Sequence, residues 1–187
     1  QSSLFQRNNA TIDGGGVHVA TDSMLAITGA TYEGNQAVNG GALSNFGSTE
    51  LVNTTVSGNT ASRAGGAIKT AGAAATLSVR NSTITNNQAG TAGGGIAEAS
   101  GRLTHLQSTI VAANRGTTAD DVSGSFVDDD NNLIGSSEGA TGFTRSRLVG
   151  SAARPINPRL APLANNGGPT KTHLLLANSP AIDTGST

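Results

Sequence analysis

The chain has 187 residues, 26 of them glycine, with 3% aromatic and 12% charged residues and a formal net charge of −1. So few large side chains cannot fill a wide central core, and the absence of a Lys/Arg cluster removes the electrostatic footprint of a nucleic-acid binder. There is no cysteine, which excludes thiol catalysis and a cysteine-ligated metal, and no apolar run reaches the roughly 18 residues needed to span a bilayer.

The chain opens at Gln1 without an initiator Met, four residues before the first motif, and is read as a processed or truncated product. From there one pattern recurs. Phe5-x-x-Asn8 precedes Gly14-Gly15-Gly16-Val17, and Tyr32-x-x-Asn35 precedes Gly40-Gly41-Ala42-Leu43. Val56-x-x-Asn59 precedes Gly65-Gly66-Ala67-Ile68, and Ile84-x-x-Asn87 precedes Gly93-Gly94-Gly95-Ile96. The asparagines are 27, 24 and 28 residues apart, a period that marks stacked supersecondary units. Segments before each Asn, such as Leu25-Ala26-Ile27-Thr28 and Leu77-Ser78-Val79-Arg80, alternate in strand fashion, and no run has helical spacing.

The fold expected is all-β, a right-handed parallel β-helix of about five coils, each period one coil. Like residues then stack as ladders. Counting back from the motif aligns Leu25, Thr49, Leu77 and Leu103 at one position, and Ile27, Leu51, Val79 and His105 at the next. Asn8, Asn35, Asn59 and Asn87 would form a polar ladder at a bend, with side-chain amides bonding their neighbours or the turn backbone. Gly14, Gly40, Gly65 and Gly93 would supply the corners, where positive φ or close backbone approach suits glycine. Small residues follow at Gly16, Ala42, Ala67 and Gly95. The hydroxyl row Thr31, Thr55, Thr83 and Thr109 is read as ordinary ladder stacking.

In the fifth unit, Ile110-Val111-Ala112-Ala113-Asn114 shifts the Asn by one and no Gly-Gly follows, so the coils are expected to occupy residues 1–116. Residues 117–187 are expected to form an irregular capping tail packed on the last coils. Its apolar anchors would be Leu148, Val149, Ile156, Leu160, Leu163, Leu174, Leu175, Leu176 and Ile182.

The acidic stretch Asp120, Asp121, Asp128, Asp129 and Asp130 offers the oxygen donors that Ca²⁺ takes, and Ca²⁺ is the one cofactor the sequence suggests. It lacks the central Gly and closing Glu of an EF-hand loop, which favours a solvated acidic loop. His18, His105 and His173 are too scattered to suggest a metal triad, and packing or backbone bonding is expected for His173.

The tail carries a resemblance. Asp121-Val122-Ser123-Gly124, Asn132-Leu133-Ile134-Gly135, the run from Ile156 to His173, and Ser179-Pro180-Ala181-Ile182-Asp183 together resemble the choice-of-anchor Q domain family. Those are bacterial secreted or surface-attached proteins with a β-helix region. The repeats also resemble those of chlamydial polymorphic outer-membrane proteins and the wider pectin-lyase-like superfamily. Family members often carry cysteines near the segments matching Asp120 and Gly142, and this chain has none.

The resemblance implies secretion or a cell-surface location. Polysaccharide lyases of that superfamily use a basic proton acceptor, and Arg63, Lys69, Arg80, Arg102, His105 and Arg115 fall at unrelated coil positions. In the outward register of Thr28 and Val52 only Arg80 and Leu106 follow, which leaves no basic strip. Glu33, Glu50 and Glu98 lie in different registers, against the paired carboxylates of a glycosidase. The functional expectation is therefore a structural or adhesive module without catalytic residues, with a polysaccharide lyase-like fragment as the alternative. Expected partners are a polysaccharide or cell-surface ligand and further copies stacked through the coil ends, with no nucleic acid and no membrane span.

Overall fold

The structure, a computed structural model, describes residues 2–101 and 104–185. Every strand pairing in it is parallel, and the stacked coils form an all-β solenoid. Met24–Glu33 lies residue for residue against Ser48–Ser57, with Ile27 opposite Leu51 and Tyr32 opposite Val56. The first half of that ladder continues through Thr76–Arg80, Thr104–Gln107 and Val122–Asp128. The second half continues through Thr83–Thr85, Ile110–Ala112, Leu133–Ile134 and Leu148–Val149. A further wall stacks Val17–Val19, Leu43–Asn45, Ile68–Thr70 and Ile96–Glu98, ending on Val122.

Alternate residues of each strand point inward, and the ladders they form are the core. Tyr32, Val56, Ile84 and Val111 make one ladder and Leu43, Ile68, Ile96 and Val122 another, all at most 1% exposed. Fully burying each such side chain contributes about 1.5–3 kcal/mol, so a chain with 3% aromatic residues still builds a continuous apolar column. Its narrowness is set at the glycine corner. Gly14, Gly40, Gly65 and Gly93 form one left-handed row, with φ of 67, 59, 70 and 64°. At the residue after Gly65 a Cβ on Gly66 would lie 2.3 Å from the Gly94 carbonyl oxygen, so adjacent coils touch backbone to backbone there.

Two more left-handed rows complete the coil. Gly29, Asn53, Asn81 and Ser108 bend the long strands, and Arg7, Gly34, Gly58, Asn86 and Ala113 precede the asparagine corner. The repeat pattern hides these rows because Asn, Ser, Arg and Ala share them with glycine.

The fifth unit departs from the sequence register by one residue. Val111, and not Ile110, stacks on Ile84, so Leu77 lies opposite Thr104 and Val79 opposite Leu106. A slip of one exchanges the two faces of a strand. Leu106 is fully buried, whereas His105 points out and Gln107 takes the place beside Arg80. Asn114 then falls in line with Asn87 without a shift, and Ile110 rather than Thr109 continues the row Thr31, Thr55 and Thr83. Leu103, assigned to a ladder from sequence, and Arg102 lie outside the described residues.

Parallel pairing also runs past residue 116, through Val122–Asp128, Leu133–Ile134 and Leu148–Val149. Beyond Gly150 the chain turns back along the outside of the stack. Ile156 N–H donates to Gly135 O, and Leu160 with Leu175 and Ala164 with Thr172 form antiparallel bridges. The tip reaches the first coils and not only the last: Thr31 Oγ1 donates to Lys171 O at 3.0 Å, and Lys171 Nζ lies 2.7 Å from Glu33 Oε2. This strap is pinned by polar groups. Leu174, Leu175, Leu176 and Ile182, expected as anchors, are 42–54% exposed.

Candidate functional site

The acidic stretch divides according to which side chains face the interior. Asp121 follows the corner where the fifth coil lacks Gly-Gly, and its side chain turns inward to 3% exposure. Its Oδ1 accepts the main-chain N–H and the Nδ2 of Asn114, at 2.8 and 2.9 Å, and its Oδ2 accepts Ser136 N–H at 2.8 Å. Burial pushes its pKa up to about 6, against the lowering effect of the Asn114 and Ser136 donors.

Asp128 occupies the inward row of Ile27, Leu51, Val79 and Leu106, an apolar ladder that ends on a carboxylate. Asn132 Nδ2 donates to it at 2.8 Å, and the N–H groups of Arg145 and Ser146 at 2.7 and 2.6 Å. Burial raises its pKa, but the Ser146 hydroxyl and amide, Asn132 and Arg145 outweigh that effect and hold it below the ordinary value. These two aspartates tie the last coils to the segments that follow them, by accepting N–H groups of Asn114, Asn132, Ser136, Arg145 and Ser146.

The other three face outward. Asp120 Oδ1 accepts Gly116 N–H, Asp130 Oδ1 accepts Asn131 N–H, and Asp129 Oδ2 lies 2.8 Å from His105 Nδ1. Among the described residues, no three His, Asp or Glu side chains gather as a metal-ligand set.

A groove of about 720 Å³ lies on the wall that the strap leaves open, lined by Ser48, Glu50, Thr76, Ser78, Arg80 and His105. Glu50, Ser78 and His105 occupy one outward row on successive coils, and Val52, Arg80 and Gln107 the next. Polar side chains pair diagonally across coils: Arg80 bonds Glu50, and His105 bonds Asp129. With Arg80 and Glu50 side chains 47% and 44% exposed, the pair contributes at most about 1 kcal/mol and remains open to exchange for a ligand. The sequence reading separated Arg80 and His105 into unrelated positions, and the one-residue slip is what concealed their groove. The remaining histidines are structural: His18 packs on Phe46 at 5.4 Å between ring centroids. His173 bridges Ala161 O and Ser57 Oγ at 2.6 and 2.9 Å, which clamps the strap to the strand Ser48–Ser57.

Of the other carboxylates, Glu33 is held by Lys171 and Gln6 Nε2. Glu98, 8% exposed, accepts Thr104 Oγ1 at 2.7 Å. Neither stands beside Glu50 as the second acid of a glycosidase pair, because Glu98 points into the coil and Glu33 is under the strap.

No helix among the described residues is long and apolar enough to cross a membrane. Residues 53–71 match the Chlamydia polymorphic membrane protein repeat. That segment carries the left-handed Asn53, the ladder residue Asn59 and the corner Gly65-Gly66-Ala67-Ile68, one coil's worth of the features that turn the chain. No curated protein and no solved structure matches the chain. The chain is a β-solenoid related distantly to that repeat.

Proposed function

We propose that this chain is a structural or adhesive module of a bacterial secreted or cell-surface protein, and that the open wall with Glu50, Ser78, Arg80 and His105 is its contact face. The carrying observation is the asymmetry between walls. The strap covers the outward side of Thr31, Glu33 and Ser57, whereas the groove wall presents charged and hydroxyl side chains on successive coils. Coils repeat at about 4.8 Å, which gives such a wall evenly spaced hydrogen-bonding groups suited to a repetitive polar ligand such as a polysaccharide. The repeat match and the tail's likeness to the choice-of-anchor Q domain family support the extracellular setting.

A second reading, a polysaccharide lyase-like fragment, draws support from Arg80 and His105 lining one groove. Retention of the chain on an immobilised panel of neutral and acidic polysaccharides separates the two. The adhesive reading expects binding without unsaturated products, and loss of binding in Ser78→Trp, which fills the groove floor. Absence of binding, or equal binding by that variant, overturns it; formation of unsaturated ends supports the lyase.

A further inference from the structure

Asparagines in this fold differ in what holds the main-chain nitrogen that follows them. At the corners the N–H and Nδ2 of one asparagine donate to Oδ1 of the next, from Asn8 through Asn35, Asn59 and Asn87 to Asn114, at 2.8–3.0 Å throughout. The nitrogens that follow, of Gln36, Thr60, Gln88 and Arg115, donate to carbonyls of the neighbouring coil at 2.9 Å. Both partners of an attack on the side-chain amide are thereby locked.

An Asn-Gly pair favours that attack, because no Cβ shields the following nitrogen and the glycine backbone turns freely. The chain has two, Asn39-Gly40 and Asn166-Gly167. Gly40 is gripped inside the stack: its N–H donates to Ala64 O at 3.0 Å, and a Cβ there would lie 2.2 Å from Leu43 O. Gly167 stands exposed at the tip of the strap with φ 91°, and a Cβ on it would meet nothing within 4 Å. Its N–H donates to Asn165 Oδ1 at 3.1 Å, a neighbouring side chain and not another coil. The Asn166 side chain meanwhile holds the tip closed. Its Nδ2 donates to Thr172 O and Oγ1 at 2.9 and 3.0 Å, beside the Ala164–Thr172 bridge and between the two pins, Lys171 on Glu33 and His173 on Ser57.

We propose that Asn166 is a site of spontaneous deamidation whose product unfastens the strap. The Gly167 nitrogen bonds to Asn166 Cγ as the Cγ–Nδ2 bond breaks, and Nδ2 leaves as ammonia with the Gly167 proton. Water then opens the cyclic imide, to aspartate by attack at Cγ or to isoaspartate by attack at the main-chain carbonyl. The reaction needs only the hairpin tip to open, whereas at Asn39 it needs the coils to part. Either product sets a carboxylate oxygen against Thr172 O where a donor stood, and isoaspartate also lengthens the backbone by one atom within the bridge. The pins at Lys171 and His173 then sit on a loosened segment, and the wall of Thr31 and Ser57 is uncovered irreversibly. The inference concerns the strap and does not rest on the ligand of the open wall.

The test ages the full chain at mildly alkaline pH, with peptide mass spectrometry and isoaspartyl methyltransferase labelling as readouts. Deamidation at Asn166 is expected to run about tenfold or more faster than at Asn39. Limited proteolysis between residues 160 and 176 is expected to be several-fold faster in the aged chain, and in Asn166→Asp without ageing. Asn166→Gln, whose longer side chain closes a ring far less readily, is expected to age without gaining cleavage. Equal rates at Asn166 and Asn39 overturn the assignment of the site. Cleavage of the aged chain and of Asn166→Asp at the fresh native rate, or an equal gain in aged Asn166→Gln, overturns its effect on the strap.

Discussion

Asp121→Asn changes the last donor-accepting group of the ladder and leaves its shape intact. In the native chain the carboxylate takes three N–H groups, yet burial holds its pKa up at about 6 against an ordinary 3.8. Between those values the folded chain keeps a proton that the unfolded chain has lost. Stability from this group is thus fully present below about pH 4 and is lost as pH rises through about 6, a span of about 3 kcal/mol. Asparagine does not titrate, so the variant lacks that slope. It can keep Oδ1 toward Asn114, but its amide NH₂ then meets Ser136 N–H, donor against donor, at a cost of about 1–3 kcal/mol. The variant is expected to be less stable than the native chain at pH 4, with the gap closing or reversing by pH 7. Urea unfolding of both chains at half-unit steps between pH 4 and 7 measures it. A difference between native and variant that does not change with pH refutes the reasoning.

Asp128 has the opposite sign. Its lowered pKa gives stability that is present above the ordinary carboxylate value and is lost as pH falls through its folded value, so the stability removed by Asp128→Ala is expected to be largest at pH 6 and to shrink as the pH falls below 4, read by urea unfolding. Asn59→Ala in mid-ladder leaves the Asn35 main-chain and side-chain N–H groups without their acceptor and removes a donor from Tyr32 O and one of the two from Asn87 Oδ1, and an expected loss of about 3 kcal/mol or more is measurable in the same assay. Gly66→Ala drives a Cβ into the backbone of the next coil, and a loss of about 3 kcal/mol with reduced soluble yield is expected. Lys171→Ala combined with His173→Ala unpins the strap. Limited proteolysis is expected to cut between residues 160 and 176 several-fold faster, while the melting temperature of the coils moves little, since the Lys171–Glu33 pair is partly exposed.

Much of the architecture is legible because the chain repeats the residues that geometry constrains most. Gly65 and its counterparts adopt φ values that suit glycine, and a buried Asn59 needs partners at fixed spacing, so both mark each coil. What escapes is what two neighbouring residues can do equally well. Ile110 and Val111 are both apolar and β-branched, and choosing the first shifts a whole strand; the deciding signal is Asn114, three residues after Val111, the spacing of every earlier coil. That choice hid the groove, because it sent His105 inward and Leu106 outward.

The missing Gly-Gly of the fifth coil reads as the end of the repeat, yet the chain there exchanges small residues for an inward carboxylate and goes on stacking. The acidic run looks like one cluster in sequence, but strand alternation and turns send Asp121 and Asp128 inward and Asp120, Asp129 and Asp130 outward. The strap's course was not legible at all. Its contacts join Lys171 to Glu33 and His173 to Ser57, polar pairs more than a hundred residues apart whose partners carry no local signal.

The most direct test of the ladder and its terminator is amide exchange at the asparagine corners, read residue by residue in the native chain and in Asp121→Asn. Asn59, Asn87 and Asn114 N–H each donate to a buried side-chain oxygen of the next corner, the last to Asp121. All three are expected to exchange in the slowest class in both chains, and in the variant it is Ser136 N–H, left facing the new amide, that is released. Exchange of native Asn114 about a hundredfold faster than Asn59 contradicts the account, because the ladder would then fray at the end that Asp121 is held to close.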